Sequence, residues 1–401
     1  MSNNLYHGDF FEHFGEMEDT RQEGKVAHKL TDILFIVVAG IICGYDECDD
    51  IYTWAEAESS QEWLKKYISL ANGLPSLSTI KRVFAIIDPD QFSRNFSNWM
   101  RALLGLPEKD IVAIDGKTSR GSKDENKNHQ ALHVVSALCH SHGLVIGQTK
   151  TEEKSNEITA IPELLDQLLL EGCIITIDAM GAQKKIAKKI ANEKNAEYVI
   201  SLKGNQGTLQ NEVKDYFSDL EQSEAWNNIE IQKTMENGQT AKEHESKGIY
   251  QTFEKGHGRI EKRTYYYSTD LDWMVDAQNE WSELNGLGKV VREVEYIAEP
   301  NRKTIETAYY IGSVNNVKDF AIAARHHWGV ESMHWSLDVT FRDDHNQTKE
   351  KTAVQNLALV KRMVFNILKN AKTQYPKLSK NKLRIKAATN PDYRDVLIKS
   401  I

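Results

Sequence analysis

Three acids stand where a carboxylate is hard to read as decoration. Asp115 follows the apolar run Ile111–Ile114 and precedes Gly116-Lys117. Asp178 follows the apolar stretch 173–177, 63 positions later, and precedes Ala179-Met180-Gly181. Glu331 comes another 153 positions on, with Trp328 three residues before it and Trp335 four after. Short β-branched apolar runs read as buried strands, so both aspartates close strands. Helical spacing puts Trp328, Glu331 and Trp335 on one face, where the two indoles are read as packing groups. A carboxylate on such a stripe costs free energy unless a cation meets it. Taken alone, Asp115-Gly116 is also ordinary turn chemistry. Taken together, the three acids suit a divalent metal, because hard cations such as magnesium prefer oxygen ligands and leave room for water and phosphate.

The elements around the acids follow from periodicity. Strands are expected at 111–115, 132–139, 144–151, 174–178 and 197–202, with His142-Gly143 turning the second into the third. Helices are expected at 157–170, announced by Ser155 and Asn156 with Pro162 in the first turn, and at 181–194, ending near Asn195. The first three strands make a meander and the last two join by right-handed crossovers. That order is the ribonuclease-H-like α/β fold, which carries acids on its first strand, at the end of its fourth, and on a later helix. Residues 1–105 read as an all-α N-terminal domain, which the family resemblance given below implies is an accessory one. Leu30, Ile33, Leu34, Val37, Val38 and Ile41 recur at helical spacing, and Ser76 or Ser78 caps a helix over 79–87. That helix carries Lys81 and Arg82, and suits a DNA reader or a packing module equally. The core's first part spans 106–204, a mostly β insertion spans 205–316, and 317–401 completes the core with the Glu331 helix and a basic helical region.

Bulk composition bounds the rest. The 401 residues are 40% hydrophobic and 27% charged, an ordinary globular balance that exceeds one core. The longest apolar run, Ile33–Cys43, is too short to span a membrane, and the acidic start lacks a signal-peptide pattern. Four cysteines without CxxC spacing point to a reduced, cytoplasmic protein. The net charge of −8 conceals an asymmetry: residues 345–401 carry 13 basic against 3 acidic groups, and residues 1–60 the reverse, 3 against 13. Such a basic end is an electrostatic footprint for nucleic acid, or a Lys-rich solvated face. Gly116-Lys117-Thr118 is no P-loop, because Ile111 stands where that motif needs glycine. His326, His334, His345 and Cys139 lack zinc-ligand spacing.

The chain resembles the DDE transposases of bacterial insertion sequences, closest to the ISAs-type branch that includes the H-repeat-associated proteins. Six motifs in order carry the resemblance: AIDGKTSRGS (113–122), VIGQTKTEEKSNEITAIPELL (145–165), TIDAMGAQ (176–183), YVISLKGNQ (198–206), HGRIEKR (257–263) and RHHWGVESMHWSLDVTF (325–341). One departure follows the last motif, where Arg342-Asp343-Asp344-His345-Asn346 and Lys351-Thr352-Ala353 replace the family's usual acid pair and Arg-rich spacing. The resemblance implies that Asp115, Asp178 and Glu331 are the catalytic, metal-binding triad. It implies Mg2+ as cofactor, with Mn2+ substituting, and double-stranded DNA as partner, both element terminal repeats and target. It also implies a homodimer on DNA, with no membrane partner.

Two metal ions roughly 3.5–4 Å apart can activate a water or 3′-hydroxyl and stabilise the leaving oxygen of a phosphodiester. Asp115 would bridge both, and Asp178 and Glu331 would each hold one. Lys117 and Arg120 are read as phosphate contacts. Lys203, Asn205 and Gln206 would position DNA near the metals, and His257, Arg259 and Arg263 would contact terminal DNA. Arg325 precedes Glu331 by six residues. His327 precedes it by four and either meets a phosphate, orients the carboxylate, or is a core histidine. Asp338 is read as a helix-stabilising acid. The function expected is metal-dependent strand cleavage and strand transfer. The alternatives are a DNA-binding relative without catalysis and a nuclease that does not join strands. DNA binding should weaken steeply with salt in each case.

Overall fold

A computed structural model describes residues 9–104, 109–123, 130–151, 157–223, 231–234, 247–256 and 258–399. Contacts divide the chain into two units: residues 1–106, 116–168 and 329–401 form the first, and 107–115 and 169–328 the second.

The apolar run near the start becomes the middle of a helix with no wet face. The first unit opens with α1 (Asp9–Gly15), α2 (Leu30–Ile42), α3 (Cys48–Glu56), α4 (Glu58–Leu64), α5 (Leu77–Ile86) and α6 (Pro89–Leu104). Ile33, Leu34, Ile36, Val37, Val38 and Ile41 of α2 are all fully buried. Ser76 caps α5, its hydroxyl accepting from the Thr79 N–H. Ala57 alone separates α3 from α4. Lys81 of α5 pairs at the surface with Asp49.

The core strands follow, with helices between them: β1 (Ile111–Ser119), β2 (Leu132–Cys139), β3 (Leu144–Lys150), α7 (Glu157–Asp166), β4 (Ile174–Ile177), α8 (Lys184–Lys188) and β5 (Glu197–Leu202). β1 runs four residues beyond the expected stop. α7 ends earlier than expected, with Pro162 inside it past the first turn, and Ser155 and Asn156 lie outside the described residues. A turn of π-helix prolongs α8, and Asn195 takes a left-handed conformation (φ 49°), which asparagine tolerates well. Gly143, also left-handed (φ 63°), turns β2 into β3.

β1 belongs to both units. In the first unit the strand order is β3-β2-β1; in the second it is β1-β4-β5 and onward, and 3-2-1-4-5 is the ribonuclease-H-like order. β2 and β3 are antiparallel, while β1, β4 and β5 are parallel.

The second unit continues with α9 (Gly207–Gln222), β6 (Ile231–Thr234), β7 (Lys247–Gly256), β8 (Arg259–Ser268), α10 (Val275–Glu280), β9 (Gly286–Tyr296), β10 (Glu299–Gly312) and α11 (Val317–His326). The inserted segment is β-rich but opens on the 16-residue helix α9. β10 pairs antiparallel with β5, so the insertion prolongs the sheet through β10-β9-β8-β7-β6. Phe320 of α11 anchors this unit's core, stacking on Tyr267 with centroids 5.0 Å apart. Gly288 admits that ring, since a Cβ there would lie within 3.0 Å of it.

The first unit closes with α12 (Trp328–Phe341), α13 (Lys351–Gln374), α14 (Lys380–Thr389) and α15 (Pro391–Ile398). α13 is buried along most of its length against α2, α5, α6 and β3. Several of its inward polar groups are paired: Asn366 bonds both the N–H and the C=O of Val145, and Arg362 donates to Ser136. Arg384 of α14 meets Asp46 and donates to the last carbonyls of α2 and α12, at Ile41 and Thr340. Lys361, Arg362, Arg384 and Arg394 are all at most 3% exposed, so four of the 13 cations in the basic C-terminal region are internal. No described helix is long and apolar enough to cross a membrane, and all four cysteines are buried and outside any disulfide.

Candidate active site

In the second unit the parallel pairing of β1 with β4 runs from Ile111↔Ile174 to Ile114↔Ile177 and stops there. Asp115, within β1, and Asp178, just past β4, are the next residues, and carboxylate oxygens of the two lie within 4.8 Å of each other. Two hard oxygen donors converging where this pairing ends fit a divalent cation. Asp178 Oδ1 also accepts the Met180 N–H at 2.9 Å, which fixes the carboxylate at the start of a short turn. The loop after β5 braces that turn. Asn205 donates to the Ala179 carbonyl, and Gln206 donates to that of Ala182 at 2.8 Å. Lys203, on the same loop, is exposed.

His327 caps the C-terminus of α11, and its Nδ1 lies 3.1 Å from Thr176 Oγ1. Burial lowers the affinity of its imidazole for a proton, against the opposing charges of Asp115 and Asp178. Its ring is thus held beside the strand that leads to Asp178.

Arg325, Arg263 and Arg259 form a second group in this unit. Arg325 makes a two-pronged contact with Glu254 at 3.1 Å through Nε and Nη2. Arg259 meets Glu261 at 2.5 Å, and Arg263 meets both Glu261 and Glu254. Arg292 joins them, its guanidinium 4.9 Å from the Trp328 ring centre. Trp328 therefore lies under two arginines while remaining 36% exposed. His257 lies outside the described residues.

Burial alone would raise the Glu261 carboxyl. The Arg292 hydrogen bond and the Arg263 and Arg292 charges reverse this and hold it at about 2. The native group thus stays ionised where an unfolded glutamate, at its ordinary 4.5, takes up a proton. Its contribution is complete above that value and is lost as pH falls toward 2. Glu261→Gln is expected to cost about 3 kcal/mol at pH 7, because it strands buried guanidinium groups. It should also flatten the acid limb of stability between those two values, which urea melts across pH would read.

In the first unit the residues just after Asp115 are tightly enclosed. Glu157, 5% exposed, meets His133 Nε2 at 2.8 Å, and His133 Nδ1 meets Thr118 Oγ1 at 2.7 Å. A Cβ on Gly116 would fall within 3 Å of both the Glu157 carboxylate and the His133 ring. Glu157 was not singled out in the sequence; its signal was a glutamate opening a helix inside the motif at 145–165.

Lys117 is 7% exposed, and its ammonium meets Asp338 at 2.6 Å, Asp344 at 3.3 Å and Asp343 at 3.6 Å. The turn after α12 also accepts from Ser119 Oγ and the Arg120 N–H. Gly121 presses on that turn's backbone, where a Cβ would be 2.5 Å from the Asp344 carbonyl oxygen. The departure from the family's spacing thus falls on a turn that grips the end of β1. The Arg120 side chain is 84% exposed. Glu331 is exposed in the first turn of α12.

A family model described as "Transposase DDE domain" matches residues 106–367, and one described as "DDE_Tnp_1-associated" matches 11–100. The H repeat-associated protein YhhI of Escherichia coli K12 is 39% identical over 385 residues, 95% of each chain. YncI of Escherichia coli O157:H7 is 38% identical over 356 residues, 88% of this chain and 85% of that one. Both relatives carry provisional transposase names.

Proposed function

The chain belongs to the DDE transposase family, and on that premise we propose that it cuts DNA at the ends of an insertion element and joins the freed 3′ ends to target DNA. The observation that carries the reading is the convergence of Asp115 and Asp178 where the parallel pairing of β1 with β4 ends. Asp115, Asp178 and Glu331 would hold divalent cations, Mg2+ with Mn2+ substituting. When bound, these supply Lewis-acid activation of the attacking oxygen and charge stabilisation of the leaving one.

The chain's own residues supply the rest. The Asn205 and Gln206 bonds keep the Asp178 turn in place before substrate arrives, so little reorganisation is left for the reaction. His327 orients the strand end from the side of Thr176. Lys203 and Arg120 present exposed cations to DNA phosphates. Arg259 and Arg325, held by Glu261 and Glu254, offer their outward edges to terminal DNA, whereas Arg263, read from the sequence as a DNA contact, is buried and braces the two glutamates instead. Two copies would assemble on DNA, one for each element end.

Supercoiled plasmid incubated with the protein tests the reading. Nicked circles are expected with Mg2+ or Mn2+ and a full loss of nicking with EDTA, restored by added metal. Donor ends joined to a second plasmid are expected as the transfer product. Nicking that persists in EDTA, or cutting without joined product, would overturn the metal-dependent transfer reading.

A further inference from the structure

The two sides of α12 differ in burial. The outer side carries Glu331 and Trp335, and Trp335 is 64% exposed, which corrects the expectation that it packs in the core. Ser336, five residues or about 7.5 Å of helix axis beyond Glu331, is buried. Its hydroxyl oxygen accepts from the Lys380 ammonium of α14 at 3.2 Å, and that ammonium lies 4.6 Å from the Phe365 ring centre of α13. Lys369 and Lys372 follow Phe365 by four and seven residues, so helical spacing sets them on the same face of α13. Lys369 lays its stem against the β2–β3 turn, where a Cβ on Gly143 would be 2.6 Å from its Cε. Three ammonium groups thus gather around the end of α13, and none of them pairs with a carboxylate among the described residues.

We propose that Lys369, Lys372 and Lys380 form a phosphate-binding site for the DNA backbone, built on the helices that follow the Glu331 helix. The inference rests on the reading that this chain acts on DNA. Lys369 is exposed and the other two are half-buried, so an anion can reach all three. Gathering them without a carboxylate costs free energy in the unbound protein. Burial first, and then the Lys369 and Lys372 charges, push the Lys380 ammonium down to about 8. A phosphate supplies the missing negative charge and relieves that repulsion. Ammonium groups act as point charges, which suit phosphate oxygens and read no base edge, so the site positions the duplex without choosing its sequence.

Fluorescence anisotropy of a labelled mixed-sequence duplex is followed against salt, in EDTA so that binding is read apart from cutting. Wild type is compared with Lys369→Gln, Lys372→Gln, Lys380→Gln and the triple variant. Each single change is expected to lower the slope of log Kd against log salt by about 1, and to weaken binding on the order of 10-fold near 0.1 M salt. The triple change should lower the slope by about 2 to 3, and Lys380→Arg should keep it. The melting temperature of Lys372→Gln should hold or rise, because a like charge is removed, so lost affinity is not lost folding. An unchanged slope in the triple variant overturns the inference and leaves the DNA reading standing. So does a triple variant that keeps its DNA affinity but loses self-association in sedimentation, which would make the cluster a contact with the acidic start of a second copy. A wild type that binds no duplex at all removes the DNA reading, and this site with it.

Discussion

Asp115→Asn, Asp178→Asn and Glu331→Gln are each expected to lower plasmid nicking by about 100- to 1000-fold or more, with DNA affinity changed by less than about twofold. Each substitution is isosteric and removes a charge. Asn at 178 keeps an oxygen for the Met180 N–H, so the turn after β4 keeps its cap. Gln at 331 sits on an exposed position and leaves the packing of α12 alone. Folding is thus preserved by construction, and circular dichroism should match wild type. Groups that act as a unit lose rate together, so pairs of these changes should cost little more than one. Filter binding and nicking on the same preparations check both halves. Nicking by Glu331→Gln at the wild-type rate, with Glu157→Gln inactive, would move the third acid to Glu157.

Gly116→Ala is expected to lower nicking by about 100-fold and stability by about 1–3 kcal/mol. The new methyl meets a carboxylate and a ring that cannot easily retreat, because Thr118 holds His133 from its other side. Either the pair is pushed away or β1 shifts, and Asp115 is the adjoining residue of that strand. Gly116→Ala combined with Glu157→Ala should recover only part of the thermal stability, because the His133 ring still meets the new methyl. Full stability and rate in the single variant would show that the enclosure has slack.

Much of this arrangement was legible in the sequence, for reasons that differ by element. Ile111–Ile114 and Ile174–Ile177 are rich in β-branched residues and each is followed by an acid, so both strands follow locally, although β1 continues past Asp115 to Ser119. The partner of β10 does not follow locally. Its pairing with β5 links residues more than a hundred positions apart, and the segment 205–316 looked like a separate insertion where it prolongs the sheet. Counting charge misled at the other end. Nothing in Lys361, Arg362, Arg384 or Arg394 as letters says that each is enclosed by the fold, so the basic region overstates the cations left for DNA. Lys117 shows the same limit, because the acids that surround it lie over 200 positions away. Glu157 escaped because its meaning depends on His133, a residue on another element.

The position of Arg384 bears on how copies of such an element decay. It closes the charge of Asp46 and ties off α2 and α12 from a point beyond every quoted motif. A stop codon just upstream of it would spare all three acids and every quoted motif, yet leave Asp46 stranded within the fold. A silent genomic fossil can therefore look catalytically whole, and the codons of α14 are the place to read whether it still makes a folded protein.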